Sequence, residues 1–97
     1  MPTYVALINY TQQGIANIKE GPARAAAAQE AVNAAGGEWK GFYLTMGQYD
    51  AVAIMEAPDD ETLAKIVLTL NSRGNSRSET LRAFTEDEFR QIVAALP

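Results

Sequence analysis

Residues 38–56 read EWKGFYLTMGQYDAVAIME, and this stretch predicts two strands joined by a turn. Residues 38–46 and residues 49–56 carry aromatic and β-branched side chains, which favour strands. Gly47 and Gln48 lie between them, and a glycine in a short connection is typical of a β-hairpin. We therefore expect an antiparallel hairpin in the middle of the chain.

The segments on both sides of this hairpin each predict one helix and one further strand. Residues 3–9 (TYVALIN) are predicted as the first strand, and residues 75–84 as the fourth. Residues 22–35 predict an alanine-rich helix, because Pro22 suits a first turn and two glycines follow the segment. Another helix is predicted before Gly74, since apolar residues recur at helical spacing. These residues are Leu63, Ile66, Val67 and Leu70.

Capping residues predict two more helices. Thr11 is suited to cap a short helix after the first strand. Thr85 and Glu88 have the spacing of a capping box, and Phe84 and Phe89 flank it as a hydrophobic staple. We therefore expect a final helix at the C-terminal end of the sequence.

The resulting order, β-α-β-β-α-β plus a C-terminal helix, predicts an α+β fold of the ferredoxin-like, split βαβ type. Its sheet is expected to have four antiparallel strands. The 97 residues suffice for a single domain spanning 1–97.

Side-chain alternation divides the predicted sheet into two faces, both apolar. One set is aliphatic, and we expect the helices to cover it: Val5, Leu7, Phe42, Leu44, Val52, Ile54, Leu81 and Ala83. The opposite set includes Tyr4, Trp39, Tyr43 and Arg82, and we expect it to stay uncovered because both crossover helices pack on one face. A second copy of the chain is predicted to cover this face, so Trp39→Arg is expected to break a homodimer. Alternatively, the C-terminal helix folds over the face of its own chain.

Composition excludes several kinds of site. The chain has no cysteine and no histidine, which removes disulfides, thiol nucleophiles, histidine bases and Cys/His zinc sites. The net charge of −4 disfavours nucleic acid as a partner. The acidic runs 59–61 and 86–88 are expected to begin helices, so we expect no metal site and no cofactor. Without a targeting signal or a long apolar run, we expect a cytoplasmic protein with no membrane partner.

The chain resembles the GYD-domain family of small, mostly bacterial and archaeal proteins. Gly47, Tyr49 and Asp50 carry the motif, although Gln48 separates Gly47 from Tyr49. Further similarity lies in MPTYVALINYTQQGI (1–15), GGEWKGFYLTMGQYD (36–50), AVAIMEAPDDE (51–61) and GNSRSETLRAFTEDEF (74–89). The resemblance implies a dimeric α/β barrel and no established activity. Proteins of similar architecture include cofactor-free monooxygenases, lactone isomerases and haem enzymes, so the fold does not define a function.

Two groups of residues are candidates for a site. Tyr49 and Asp50 follow the hairpin turn. Either Asp50 is a base or hydrogen-bond acceptor at a cleft, with Tyr49 as a donor, or Asp50 stabilises the turn by accepting hydrogen bonds from its backbone N–H groups. Tyr4, Trp39, Tyr43 and Arg82 are predicted to line an apolar ligand cleft. There Arg82 binds a carboxylate, stacks on an aromatic ring or pairs with an acidic residue of the partner subunit.

From these features we predict a homo-oligomeric, non-catalytic binding or scaffold module. It is expected to hold a small apolar or aromatic molecule between the sheet and the helices, or against the partner. The alternative is a cofactor-free enzyme acting on a small aromatic or quinone-like substrate. In that case Tyr49, Asp50 and Arg82 would steer proton transfer, with any of the three as a candidate catalytic residue. A purely structural protein, with the cleft filled by its own side chains, is the third interpretation.

Overall fold

A computed structural model describes all residues from 1 to 97. Its elements follow the predicted order, with one short helix after the first strand. They are β1 (Thr3–Tyr10), α1 (Gln12–Ala16), α2 (Gly21–Ala34), β2 (Glu38–Leu44), β3 (Ala51–Glu56), α3 (Asp60–Ser72), β4 (Ser76–Ala83) and α4 (Glu86–Ala94). A 3-10 turn at Ile18–Glu20 joins α1 to α2.

The strands form one four-stranded sheet in the order β2-β3-β1-β4. All three neighbouring pairs are antiparallel. This is the α+β, ferredoxin-like arrangement that the sequence predicts. The predicted hairpin is β2 and β3, but its loop is longer than Gly47 and Gln48 alone. The backbone N–H of Thr45 donates to the Asp50 carbonyl at 2.9 Å and closes the loop, within which Gly47 has a φ of +128°.

The helix starts use the caps that the sequence predicts. The Thr11 side chain accepts a hydrogen bond from the backbone of Gly14 at 3.1 Å. Thr85 and Glu88 form the reciprocal capping box of α4. Asp59 caps α3 by accepting from the Thr62 backbone at 2.7 Å. Hydrogen bonding from the Thr62 side chain, followed by that from its backbone N–H, lowers the pKa of the Asp59 carboxyl.

The predicted assignment of the two sheet faces is wrong. The helices α2 and α3 cover the face that carries Tyr4, Ala6, Ala53 and Met55, and these residues form the buried core with Val32, Ala57 and Leu63. Several positions on this face are alanines, so helices can approach the sheet closely there. The face that was expected to be open is therefore the covered one.

A bulge in β2 also changes which of its side chains share a face. The register of β2 with β3 shifts between Trp39 and Gly41. Trp39 and Phe42 consequently lie on the same, helix-covered side, and their rings stack with centroids 6.5 Å apart. Tyr43 pairs with Val52 on the other side of the sheet and is 59% exposed. Strict alternation of side chains along β2 predicts Trp39 and Phe42 on opposite faces of the sheet, and the bulge is the reason that this prediction is wrong.

The aliphatic face is the one that the chain leaves uncovered. Val5 pairs with Ile54 on one side and with Leu81 on the other, and Leu81 is 44% exposed. α4 does not cover this face, because it has no extensive contact with any other element of the chain. Its apolar side chains stay exposed, including Phe89 at 60%. The alternative in which α4 closes over its own sheet is therefore wrong.

Candidate functional site

A cavity of about 150 Å³ lies on the covered face, between the sheet and helices α2 and α3. Most of its lining is apolar. The apolar residues are Ala6, Ile8, Ala25, Ala28, Val32, Trp39, Phe42, Ala53, Met55, Leu63, Ile66, Val67 and Leu70, with Tyr10 and Gly21 beside them. The polar lining residues are Arg24, Asn71, Arg73, Asn75, Ser76 and Ser78.

The polar residues gather at one end of the cavity because of the topology. β1 ends at Tyr10, which pairs with Ser76 at the start of β4. Arg24 lies in the first turns of α2, and Arg73 directly follows α3. The deeper residues Val32 and Leu63 come from the opposite ends of these two helices. The cavity is thus apolar at one end and rich in hydrogen-bond donors at the other.

Arg24 is held in place at the polar end. Its two terminal nitrogens donate to the carbonyls of Asn17 and Gly14, both at 3.1 Å. The guanidinium carbon lies 5.9 Å from the centre of the Tyr10 ring. A guanidinium has five N–H donors, so these two bonds leave donors free.

A second polar group comes from the end of α3 and the start of β4. The side-chain amide of Asn71 donates from Nδ2 to the Ser78 hydroxyl at 3.1 Å, and its Oδ1 accepts from the Ser76 hydroxyl at 3.4 Å. In this chain of bonds the Ser78 hydroxyl accepts, so its own proton is available as a donor.

The four residues predicted to bind a ligand are not brought together. Trp39 lines the cavity, whereas Tyr4, Tyr43 and Arg82 do not. Tyr43 lies on the uncovered face. Arg82 is exposed next to Tyr4, with its guanidinium 5.9 Å from the Tyr4 ring and 4.5 Å from the Phe84 ring. Tyr4 and Arg82 pair near the start of β1, at the other end of the sheet from the polar end of the cavity.

Tyr4 has a structural contact that the sequence did not suggest. Its ring is 3% exposed, and its hydroxyl donates to the Asp60 carboxylate in the first turn of α3. Burial, followed by this hydrogen bond and the negative charge of Asp60, raises the pKa of Tyr4 to about 12. Tyr4 therefore stays protonated and joins the sheet to α3.

Tyr49 and Asp50 also lie outside the cavity lining. The Tyr49 hydroxyl donates to Glu79 at 2.9 Å, and this bond raises the pKa of Tyr49. The Asp50 carboxylate accepts from the backbone N–H of Tyr10 at 2.9 Å, and the Asp50 N–H donates to the Ile8 carbonyl at the same distance. Both motif residues thus tie the hairpin loop to the neighbouring strands.

The polar lining residues Arg24, Arg73 and Asn71 were missed from the sequence. Arg24 comes from α2, whereas Asn71 and Arg73 come from the end of α3, and each looks like an ordinary helix-surface residue when considered alone. The one available signal was their place at helix ends that the split βαβ topology brings together.

No three carboxylate side chains gather into a metal-binding group. None of the helices has the length and apolar character needed to cross a bilayer.

Two comparisons concern proteins of Thermus thermophilus. A glutamine synthetase and cystathionine beta-lyase binding protein from this organism is 34% identical over 84 residues, which cover 86% of this chain and 88% of that protein. The crystal structure of TTHA0845 from the same organism has a TM-score of 0.55 and 30% identity, over 88% of this chain and 95% of that one.

A more distant solved structure shares the fold. The feast or famine regulatory protein from M. tuberculosis, complexed with L-methionine, has a TM-score of 0.63 at 16% identity. The match covers 90% of this chain and 54% of the regulator, so the chain spans about half of that protein's length. Finally, the family model of the GYD domain matches residues 4–93. The chain therefore belongs to the GYD domain family.

Proposed function

We propose that this protein is a homodimeric, non-catalytic binding module whose helix–sheet cavity holds a small apolar or aromatic ligand. This proposal rests on the cavity, which is largely apolar and has a few polar groups at one end, as is typical of sites for small ligands. The name of the Thermus relative, a protein that binds two enzymes, supports a binding role in general. The lining contains no carboxylate that would accept a proton, so we assign the cavity a role in binding a ligand and not in proton transfer.

The volume limits the size of the ligand. An apolar cavity of about 150 Å³ accepts one benzene-sized molecule. A nucleotide or a haem does not fit this space. We therefore expect a single ring or a short branched chain to be the part of the ligand that enters.

Thermal unfolding with indole and benzene as neutral probes tests the proposal. A ligand that binds only the folded state at a hundredfold excess over its Kd adds about 2.7 kcal/mol of stability, which is a rise of roughly 10 °C or more in Tm. Ala28→Leu fills the cavity and should abolish this rise. Ala26→Leu makes the same change on the exposed side of α2, outside the lining, and should preserve it. Equal rises in both variants, or none in the wild type, would contradict the proposal.

The dimer part of the proposal rests on two exposed apolar surfaces. The uncovered sheet face carries Val5, Ile54 and Leu81, and α4 carries Phe89 and Ile92. Nothing else in the chain covers either surface. A two-fold pair lets each copy place its own sheet face and α4 against the other, and this is the commonest symmetry of soluble oligomers.

Sedimentation velocity tests the dimer. Ile54→Arg places a charge in the middle of the uncovered face, and we expect it to produce monomers. Gln29→Arg introduces the same side chain at an exposed position of α2 and should leave the dimer intact. A monomeric wild type, or a dimer that persists in Ile54→Arg, would refute this placement.

A further inference from the structure

The charges at the polar end of the cavity all have one sign. The ionisable side chains of the lining are Arg24, Arg73 and Tyr10, with no aspartate, glutamate or lysine among them. The chain as a whole has a net charge of −4, with twelve acidic residues against eight basic ones. Even so, neither arginine forms an ion pair with a carboxylate of this chain. The polar end is thus locally cationic in an acidic protein.

Arg24 in particular is a preorganised donor. It is half-buried, and its two hydrogen bonds to carbonyls fix the guanidinium without neutralising its charge. A partly desolvated cation gains more from an anionic partner than a fully hydrated one does. Because the group is already held in position, a ligand anion does not have to order it.

Other groups at this end point to the same ligand chemistry. Arg73 is exposed, and its guanidinium makes no hydrogen bond within the chain, so it is free to reach a ligand. The Ser78 hydroxyl already accepts from Asn71 and therefore has a proton to donate. Guanidinium groups bind carboxylates with charge-assisted and often bidentate hydrogen bonds.

We propose that the cavity binds a small monocarboxylate, with its apolar body between the helices and the sheet and its carboxylate at Arg24 and Arg73. This inference rests on the proposed function and adds the chemical class of the ligand. The lining offers no carboxylate to an ammonium group, so free amino acids are expected to bind less well than the corresponding acids without an amine.

Calorimetric titration with matched probes tests the inference. Phenylacetate is compared with its neutral amide, phenylacetamide, and with L-phenylalanine. We expect phenylacetate to bind at least about tenfold more tightly than phenylacetamide, as befits a charged hydrogen bond. The advantage should shrink as salt is raised, because Arg73 is exposed and its charge is screened.

Three variants separate a local contact from a general charge effect. Arg73→Gln removes an exposed charge and should fold normally while reducing the preference for phenylacetate severalfold. Arg24→Gln should reduce it further, although this change also affects the carbonyls that Arg24 holds. Arg82→Gln is the matched control, because it makes the same change in net charge and Arg82 is exposed at the other end of the sheet, outside the cavity lining.

The outcomes distinguish this inference from the proposed function. A preference for phenylacetate that is lost in Arg73→Gln and kept in Arg82→Gln supports the inference. Equal affinity for phenylacetate and phenylacetamide overturns it while leaving the cavity as a binding site. An equal loss of this preference in Arg73→Gln and Arg82→Gln also overturns the inference, because the loss would then be a general effect of net charge. Failure of phenylacetate, phenylacetamide and indole alike to bind overturns both proposals.

Discussion

The backbone N–H of Tyr10 donates a 2.9 Å hydrogen bond to Oδ2 of Asp50. The aspartate of the family motif thereby holds the end of β1, and Tyr10 lines the polar end of the cavity. Asp50 is half-buried, and its own N–H donates back to Ile8 in the same strand. The motif and the cavity are therefore connected through the backbone of β1.

This connection predicts that Asp50 acts on stability. Asp50→Ala leaves the Tyr10 N–H without its acceptor and should lower the free energy of unfolding by about 1–2 kcal/mol. Asp50→Asn keeps an oxygen that can accept the bond, so its loss should be smaller. Urea denaturation measures both values. Asp50→Ala with wild-type stability would show that this hydrogen bond contributes nothing.

The pKa of Tyr4 predicts a fall in stability at alkaline pH. In the unfolded chain a tyrosine loses its proton near pH 10, whereas folded Tyr4 keeps it to about pH 12. Between these values the unfolded state binds fewer protons, so the free energy of unfolding falls as pH rises. Below pH 10 this contribution is fully present.

Tyr4→Phe should remove that part of the pH dependence. We expect the variant to be less stable than the wild type at pH 9, because the bond to Asp60 is lost, and the difference to shrink towards pH 12. Tyr43→Phe is the matched control, since the Tyr43 side chain is 59% exposed. It should follow the wild type across this range. Chemical denaturation at each pH provides the values, and a constant gap between Tyr4→Phe and the wild type would refute the prediction.

Close packing of α1 against the start of β4 predicts a large effect at Gly14. A Cβ on Gly14 would lie 2.0 Å from the Asn75 carbonyl oxygen, which also accepts from the Thr11 N–H. Gly14→Ala must displace backbone and should cost about 3 kcal/mol. Gly21→Ala is the control, because its Cβ would have its nearest neighbour at 3.7 Å. It should be neutral or slightly stabilising, and similar thermal unfolding of both variants would contradict this.

The position of Trp39 changes the expected effect of Trp39→Arg. Trp39 packs against the core beneath the helices and stacks on Phe42, so an arginine there should destabilise the fold by about 3 kcal/mol or more. The sequence alone predicted that this change would separate two subunits. Circular dichroism during thermal unfolding should therefore show a lower Tm for Trp39→Arg than for Ile54→Arg. The reverse order would favour the original interpretation.

Local sequence signals determined the elements of this protein and their order. Thr85 with Glu88, the glycines after α2 and the helical spacing of Leu63 to Leu70 each act over a few residues, so they can be recognised without knowing the fold. The sequence of strands and helices then leaves few ways to form a sheet, and the split βαβ arrangement is the one observed.

The tertiary structure alone decided which face of the sheet is covered and where the cavity lies. Both faces are apolar, so hydrophobicity cannot choose between them. The choice depends on how closely helices can approach alanines such as Ala6 and Ala53, and on the bulge after Trp39 that reverses the alternation in β2. Arg24 and Arg73 line one cavity because distant helix ends pack together, and no local pattern in the sequence encodes that arrangement.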